Sequence, residues 1–66
     1  MGRFARTLEI FADMVKVGDT VILGTGTRVT VAEAKTDDNG VVSLWFDGWR
    51  TPYTAYFDEY VAVAAE

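Results

Sequence analysis

The chain has 66 residues, half of them apolar and 14% aromatic, with a net charge of −4, no Cys and no His. That composition excludes a disulfide framework, a thiolate or imidazole metal centre, and a His-activated nucleophile. It leaves one domain near the lower limit for independent folding, stabilised by a dense aromatic core or by oligomerisation.

The charge is uneven. Residues 1 to 28 carry Arg3, Arg6, Lys16 and Arg28 against Glu9, Asp13 and Asp19, whereas residues 29 to 66 carry Lys35 and Arg50 against seven carboxylates. Duplex nucleic acid calls for clustered cations that replace several counterions, so a few scattered ones on an acidic chain argue against it. No run approaches the roughly 18 apolar residues of a membrane span. Glu9 and Asp13 interrupt the stretch after Arg3 and Arg6, which makes a poor signal peptide. The expected setting is the cytoplasm, with no membrane partner and no cofactor.

Residues 3 to 14 fit two periods. Phe4, Leu8, Phe11 and Val15 share a helical face, while Leu8, Ile10 and Ala12 alternate as in a strand. With no N-cap ahead of the stretch, a strand over Thr7–Ala12 followed by a turn at Asp13-Met14-Val15 is the favoured reading. Gly18-Asp19 punctuates the chain before Val21-Ile22-Leu23, a short β-branched run. Gly24-Thr25-Gly26 reads as a three-residue hairpin loop. That loop pairs Val21 with Val29 and gathers Val21, Leu23, Val29 and Val31 on one face; a two-residue loop would put Arg28 and Thr30 there instead.

The third strand is predicted over Thr27–Lys35, with a bend or bulge in Ala32-Glu33-Ala34-Lys35. Thr36-Asp37-Asp38-Asn39-Gly40 is a turn. Val41–Phe46 is the clearest strand. Asp47-Gly48 then suggests a type I′ hairpin, pairing Phe46 with Trp49, Trp45 with Arg50, Leu44 with Thr51 and Val42 with Tyr53. In that register Trp45 and Arg50 form a cation–π pair on the outer face, and Phe46, Trp49, Tyr53 and Phe57 join the core. Pro52 belongs at an edge or bend. Asp58-Glu59-Tyr60 fits one 3₁₀ turn, Val61–Ala64 a closing strand, and residues 1–6 and 64–66 are expected to fray.

Five to six short antiparallel strands with tight turns, and a 3₁₀ turn before the last strand, make the chain mainly all-β. In this pattern it resembles the SH3-like small β-barrels. The run from Thr7 to Asp19, TLEIFADMVKVGD, also resembles the opening of small uncharacterised actinobacterial and actinophage proteins. That resemblance implies a barrel and a phage source, hence a host cytoplasm, and it carries no functional residues.

Chemistry is sparse. Asp37-Asp38 and Asp58-Glu59 sit in turns, where carboxylates are solvated rather than tuned as an acid/base pair. Asp37-Asp38-Asn39-Gly40 lacks the spaced ligands and closing Glu of a calcium loop. Gly24-Thr25-Gly26 precedes a strand rather than the helix a phosphate loop needs. Ser43 is the only Ser and lies mid-strand. An enzyme is therefore the least favoured reading.

The aromatic residues say more. Trp45, Tyr56 and Phe11 fall opposite the buried sets of their strands. With Arg50 they are the candidate binding residues, since exposed aromatics beside Arg are typical of protein interfaces. The bland alternative is that the barrel, or the stems of Arg50 and Lys35, cover them. The expected function is a non-enzymatic protein-interaction module that binds a partner or itself as a homo-oligomer. The alternatives are a single-stranded nucleic-acid binder that stacks bases on Trp45 and Tyr56, and an acidic decoy of a nucleic-acid-binding protein.

Overall fold

The computed structural model describes residues 6 to 65. Six strands, β1 (Arg6–Phe11), β2 (Thr20–Ile22), β3 (Arg28–Thr36), β4 (Val41–Phe46), β5 (Tyr53–Tyr56) and β6 (Tyr60–Ala65), form one antiparallel sheet in the order β1-β6-β2-β3-β4-β5. Among the described residues one 3₁₀ turn is present, Ala12–Met14, directly after β1. The chain is thus mainly β, and the sheet is open, with β1 and β5 at its edges.

The strand reading of Thr7–Ala12 holds as far as Phe11, because a partner exists for it, while Ala12 opens the 3₁₀ turn instead. Leu8 pairs with Val63 and Ile10 with Val61, so the alternating apolar set of β1 faces the buried valines of β6. The β2–β3 hairpin has the register that burial selects: Val21 opposite Val29, and Leu23 N–H donating to the Thr27 carbonyl at 2.9 Å. In β3 the pairing steps from Val31–Phe46 to Glu33–Trp45, leaving Ala32 as the extra residue of a bulge. The extra residue sharpens the local twist and bends the sheet.

Val21, Val31, Val42, Leu44, Phe46, Ala55, Val61 and Val63 fill the concave face. Ala12 and Val15 close it from the segment between β1 and β2. That segment is latched to β3: Gly18 N–H donates to the Val31 carbonyl, and Val31 N–H donates to the Asp19 carbonyl, each at 2.9 Å. Gly18 has a φ of 96°, which glycine adopts without a Cβ penalty.

Three expectations are corrected. The β4–β5 register is Leu44–Tyr53 and Val42–Ala55, two residues from the hairpin expected at Asp47-Gly48. A type I′ turn needs positive φ at both central residues, and here Gly48 has it but Asp47 does not. Asp47 N–H is engaged by the Thr30 carbonyl, and the chain reaches β5 only after Pro52. A slip of two preserves side-chain faces, so Val42 and Leu44 remain buried.

Next, Phe46 alone of the expected aromatic core is enclosed; Trp49, Tyr53 and Phe57 are exposed. Trp49 meets Phe46 edge-on at 5.0 Å and Tyr53 lies 6.0 Å from it, so both pack on its rim. Branched aliphatics already fill the small interior. Finally, Phe57–Glu59 is a plain turn closed by Glu59 N–H on the Tyr56 carbonyl, so the 3₁₀ turn follows the first strand instead of preceding the last. Of the ends expected to fray, Arg6, Ala64 and Ala65 are positions of the β1–β6 ladder, and the rest lie outside the described residues.

Candidate functional site

Three separate segments meet beside the β5–β6 turn. Phe57 N–H donates to the Gly40 carbonyl at 2.8 Å, tying that turn to the β3–β4 turn. Ala12 N–H donates to the Glu59 carbonyl at 2.8 Å, tying it to the 3₁₀ turn, which also lies against β5. The β3–β4 turn is itself fixed by Asp37, whose Oδ1 accepts from Asn39 N–H at 2.8 Å and Val41 N–H at 3.0 Å. This side-chain closure is what the Asp-Asp-Asn-Gly sequence encodes locally.

The tie gathers exposed aromatic surface. Phe11 and Tyr60 are opposite each other in the β1–β6 ladder and stack with ring centroids 5.0 Å apart and planes 16° apart. Cross-strand neighbours are nearer at non-hydrogen-bonded pairs, which this one is by ladder phase from Ala12–Glu59. The stack stays open to solvent: Phe11 is 44% exposed and Tyr60 65%. Tyr56 and Phe57 flank the same turn at 57% and 49% exposure. Tyr56 and Glu59 also line a shallow depression with Val41, Thr54 and Ala55.

The turns that meet here also carry carboxylates. Asp13 comes from the 3₁₀ turn, Asp37 and Asp38 from the β3–β4 turn, and Asp58 and Glu59 from the β5–β6 turn, all exposed. None is in an ion pair among the described residues, where the one salt bridge is Lys35 Nζ to Glu33 at 3.4 Å. They are spread along the surface, and no group of three or more among the described residues is placed to hold a metal.

The four sequence-predicted binding residues are not brought together. Phe11 and Tyr56 flank this tie. Trp45 lies four residues along β4 from Val41, the partner of Tyr56, about 13 Å away at the usual strand rise. Its expected cation–π partner is replaced: Lys35 Nζ sits 5.9 Å from the Trp45 ring centroid, and Trp45 is partly buried. Arg50 is exposed in the β4–β5 loop, because the two-residue register shift removes the position opposite Trp45. The Lys35 ammonium thus lies over the Trp45 ring, and neither Trp45 nor Arg50 lies at the β5–β6 turn with the aromatic surface.

Sequence reasoning missed Tyr60 and put Phe57 in the core. The signal for Tyr60 was available. Aligning Ile10 with Val61, the natural match of two apolar strands, sets Phe11 opposite Tyr60.

Comparison with protein-family models, curated proteins and solved structures finds no match for this chain.

Proposed function

We propose that this protein is a non-enzymatic protein-interaction module that docks a basic, partly apolar surface of its partner on the Phe11/Tyr60 stack and the adjoining Tyr56 and Phe57. The observation that carries the reading is this solvent-open aromatic surface, borne by turns that also carry Asp13, Asp37, Asp38, Asp58 and Glu59, with no ion pair to any of them among the described residues. Rigid aromatics supply contact area at low entropic cost, and the acidic turns supply steering and specificity. Base stacking would use the same rings, but the carboxylates of these turns repel phosphates, so the stacking role is disfavoured.

The fold belongs to the same reading. The order β6-β2-β3-β4-β5, bent at the Ala32 bulge, supports a small SH3-like barrel to which β1 adds an outer strand. The acidic turns also support a narrower version in which the partner surface is one that otherwise binds nucleic acid.

Selection from a displayed random peptide library tests the proposal. Peptides enriched on the native protein should combine Lys or Arg with Leu, Phe or Trp, and enrichment should collapse on a Phe11→Ala/Tyr60→Ala variant. Equal enrichment on both proteins, or tighter binding of single-stranded oligonucleotides than of any peptide, overturns it. Release of a DNA-binding protein from its DNA by the native chain, but not by the Phe11→Ala/Tyr60→Ala variant, separates the decoy version from simple docking.

A further inference from the structure

We infer that β1 is a self-pairing edge, through which two copies of this chain join their sheets antiparallel with Leu8 against Leu8 of the second copy. The two free edges of the sheet differ. At one edge, β5 spans only four residues, with Pro52 immediately before it and the 3₁₀ turn against it. At the other, β1 spans six residues with no Pro, Gly or Lys and no break in its pairing to β6. Short length, Pro, charge and coverage are the usual guards of an edge; β1 carries the charges of Arg6 and Glu9 but, among the described residues, is neither short, nor broken by Pro, nor covered.

The hydrogen-bond phase fixes which groups the edge offers. Ala12 N–H donates to the Glu59 carbonyl in the same register that pairs Ile10 with Val61 and Leu8 with Val63. Ladder bonds alternate, so Leu8 and Ile10 point their backbone groups at β6. Thr7, Glu9 and Phe11 point theirs at the free edge.

Two-fold antiparallel self-pairing that continues the concave face must match residues of like parity. Only two such registers use five of the six residues. One places Glu9 opposite Glu9 of the second copy, and like charges directly opposite are unfavourable. The other places Thr7 opposite Glu9 and Leu8 opposite Leu8. Leu8 lies on the core-facing side of β1 yet is 52% exposed, because among the described residues no strand lies beyond it. In this register the second Leu8 covers it at a non-hydrogen-bonded pair, where side chains approach most closely. Phe11 lies just past the paired segment, residues 6–10 in this register, so each copy keeps its Phe11/Tyr60 stack and a dimer would display two docking ends.

The chain has no cysteine, so single-Cys variants report the register cleanly. Sedimentation equilibrium of the native chain should show a reversible dimer. Leu8→Cys should give a disulfide-linked dimer under mild oxidation, since the expected separation of about 4.5 Å suits a disulfide; Glu9→Cys, diagonal to itself, should not. Thr7→Pro removes an N–H that points away from β6. It should leave the circular dichroism spectrum unchanged and weaken dimerisation about thirtyfold through two lost inter-chain hydrogen bonds. Tyr60→Ala should leave the dimer intact. A native chain that is monomeric throughout, a Glu9→Cys variant that cross-links better than Leu8→Cys, or a dimer abolished by Tyr60→Ala overturns the inference. The last of these would place self-association on the aromatic end.

Discussion

Gly40→Ala probes the tie beneath the aromatic surface. Gly40 has a φ of 82°, and a Cβ built there would lie 2.7 Å from Phe57 Cδ1 and 3.2 Å from Cε1. Two costs add. The left-handed backbone costs a residue with Cβ roughly 1–2 kcal/mol. The ring must also move, giving up part of the packing of a half-exposed Phe, for which about 1 kcal/mol is reasonable. Gly48→Ala is the control: its φ of 83° is nearly the same, but nothing lies within 4 Å of the built Cβ. Urea unfolding should therefore show Gly40→Ala to be more destabilising than Gly48→Ala by about 1 kcal/mol, or roughly 4–8 °C in Tm for a domain of this size. Introducing Phe57→Ala should erase that excess, giving a favourable coupling in the double-mutant cycle. Equal losses at the two glycines, or an excess that survives removal of the ring, would refute the proposed contact between the two turns.

Other substitutions separate structure from docking. Asp37→Ala removes the acceptor of two backbone N–H groups and should cost about 1–2 kcal/mol by denaturant unfolding, whereas Asp38→Asn, which closes no turn, should leave stability unchanged. Leu44→Ala empties a fully buried position and should cost about 2–5 kcal/mol, enough to unfold much of a domain this small at room temperature, seen as lost near-ultraviolet dichroism. Trp45→Ala should leave binding of a selected peptide unchanged, because that residue lies about 13 Å along β4 from the partner of Tyr56; calorimetry showing a tenfold loss would return Trp45 to the docking surface.

The elements whose partners are close in sequence were legible. The three-residue loop at Gly24-Thr25-Gly26 fixed the β2–β3 register because only one pairing buries Val21 and Val31 together. The alternation of Val41–Phe46 survived even with its partner strand misplaced by two residues, since an even slip keeps faces. The β4–β5 loop was not legible from Asp47-Gly48 alone. There Asp47 N–H is drawn to the Thr30 carbonyl of β3, a long-range bond that no local pattern encodes. Aromatic burial was overestimated for a related reason. The aliphatics of β2, β3, β4 and β6 already fill a small interior, leaving Trp49, Tyr53 and Phe57 on its rim. Of the candidate surface, Phe11 and Tyr56 were visible through alternation. Tyr60 needed the pairing of the first strand with the last, a contact between the two ends of the chain.

The most direct test of the account is backbone amide chemical-shift mapping during titration with a short peptide of alternating Lys and Leu. Shifts should centre on residues 11–13, 38–40 and 56–60 and weaken as salt rises. Shifts centred on Trp45 and Lys35 instead, or none with the peptide but clear shifts with oligothymidine, would contradict it.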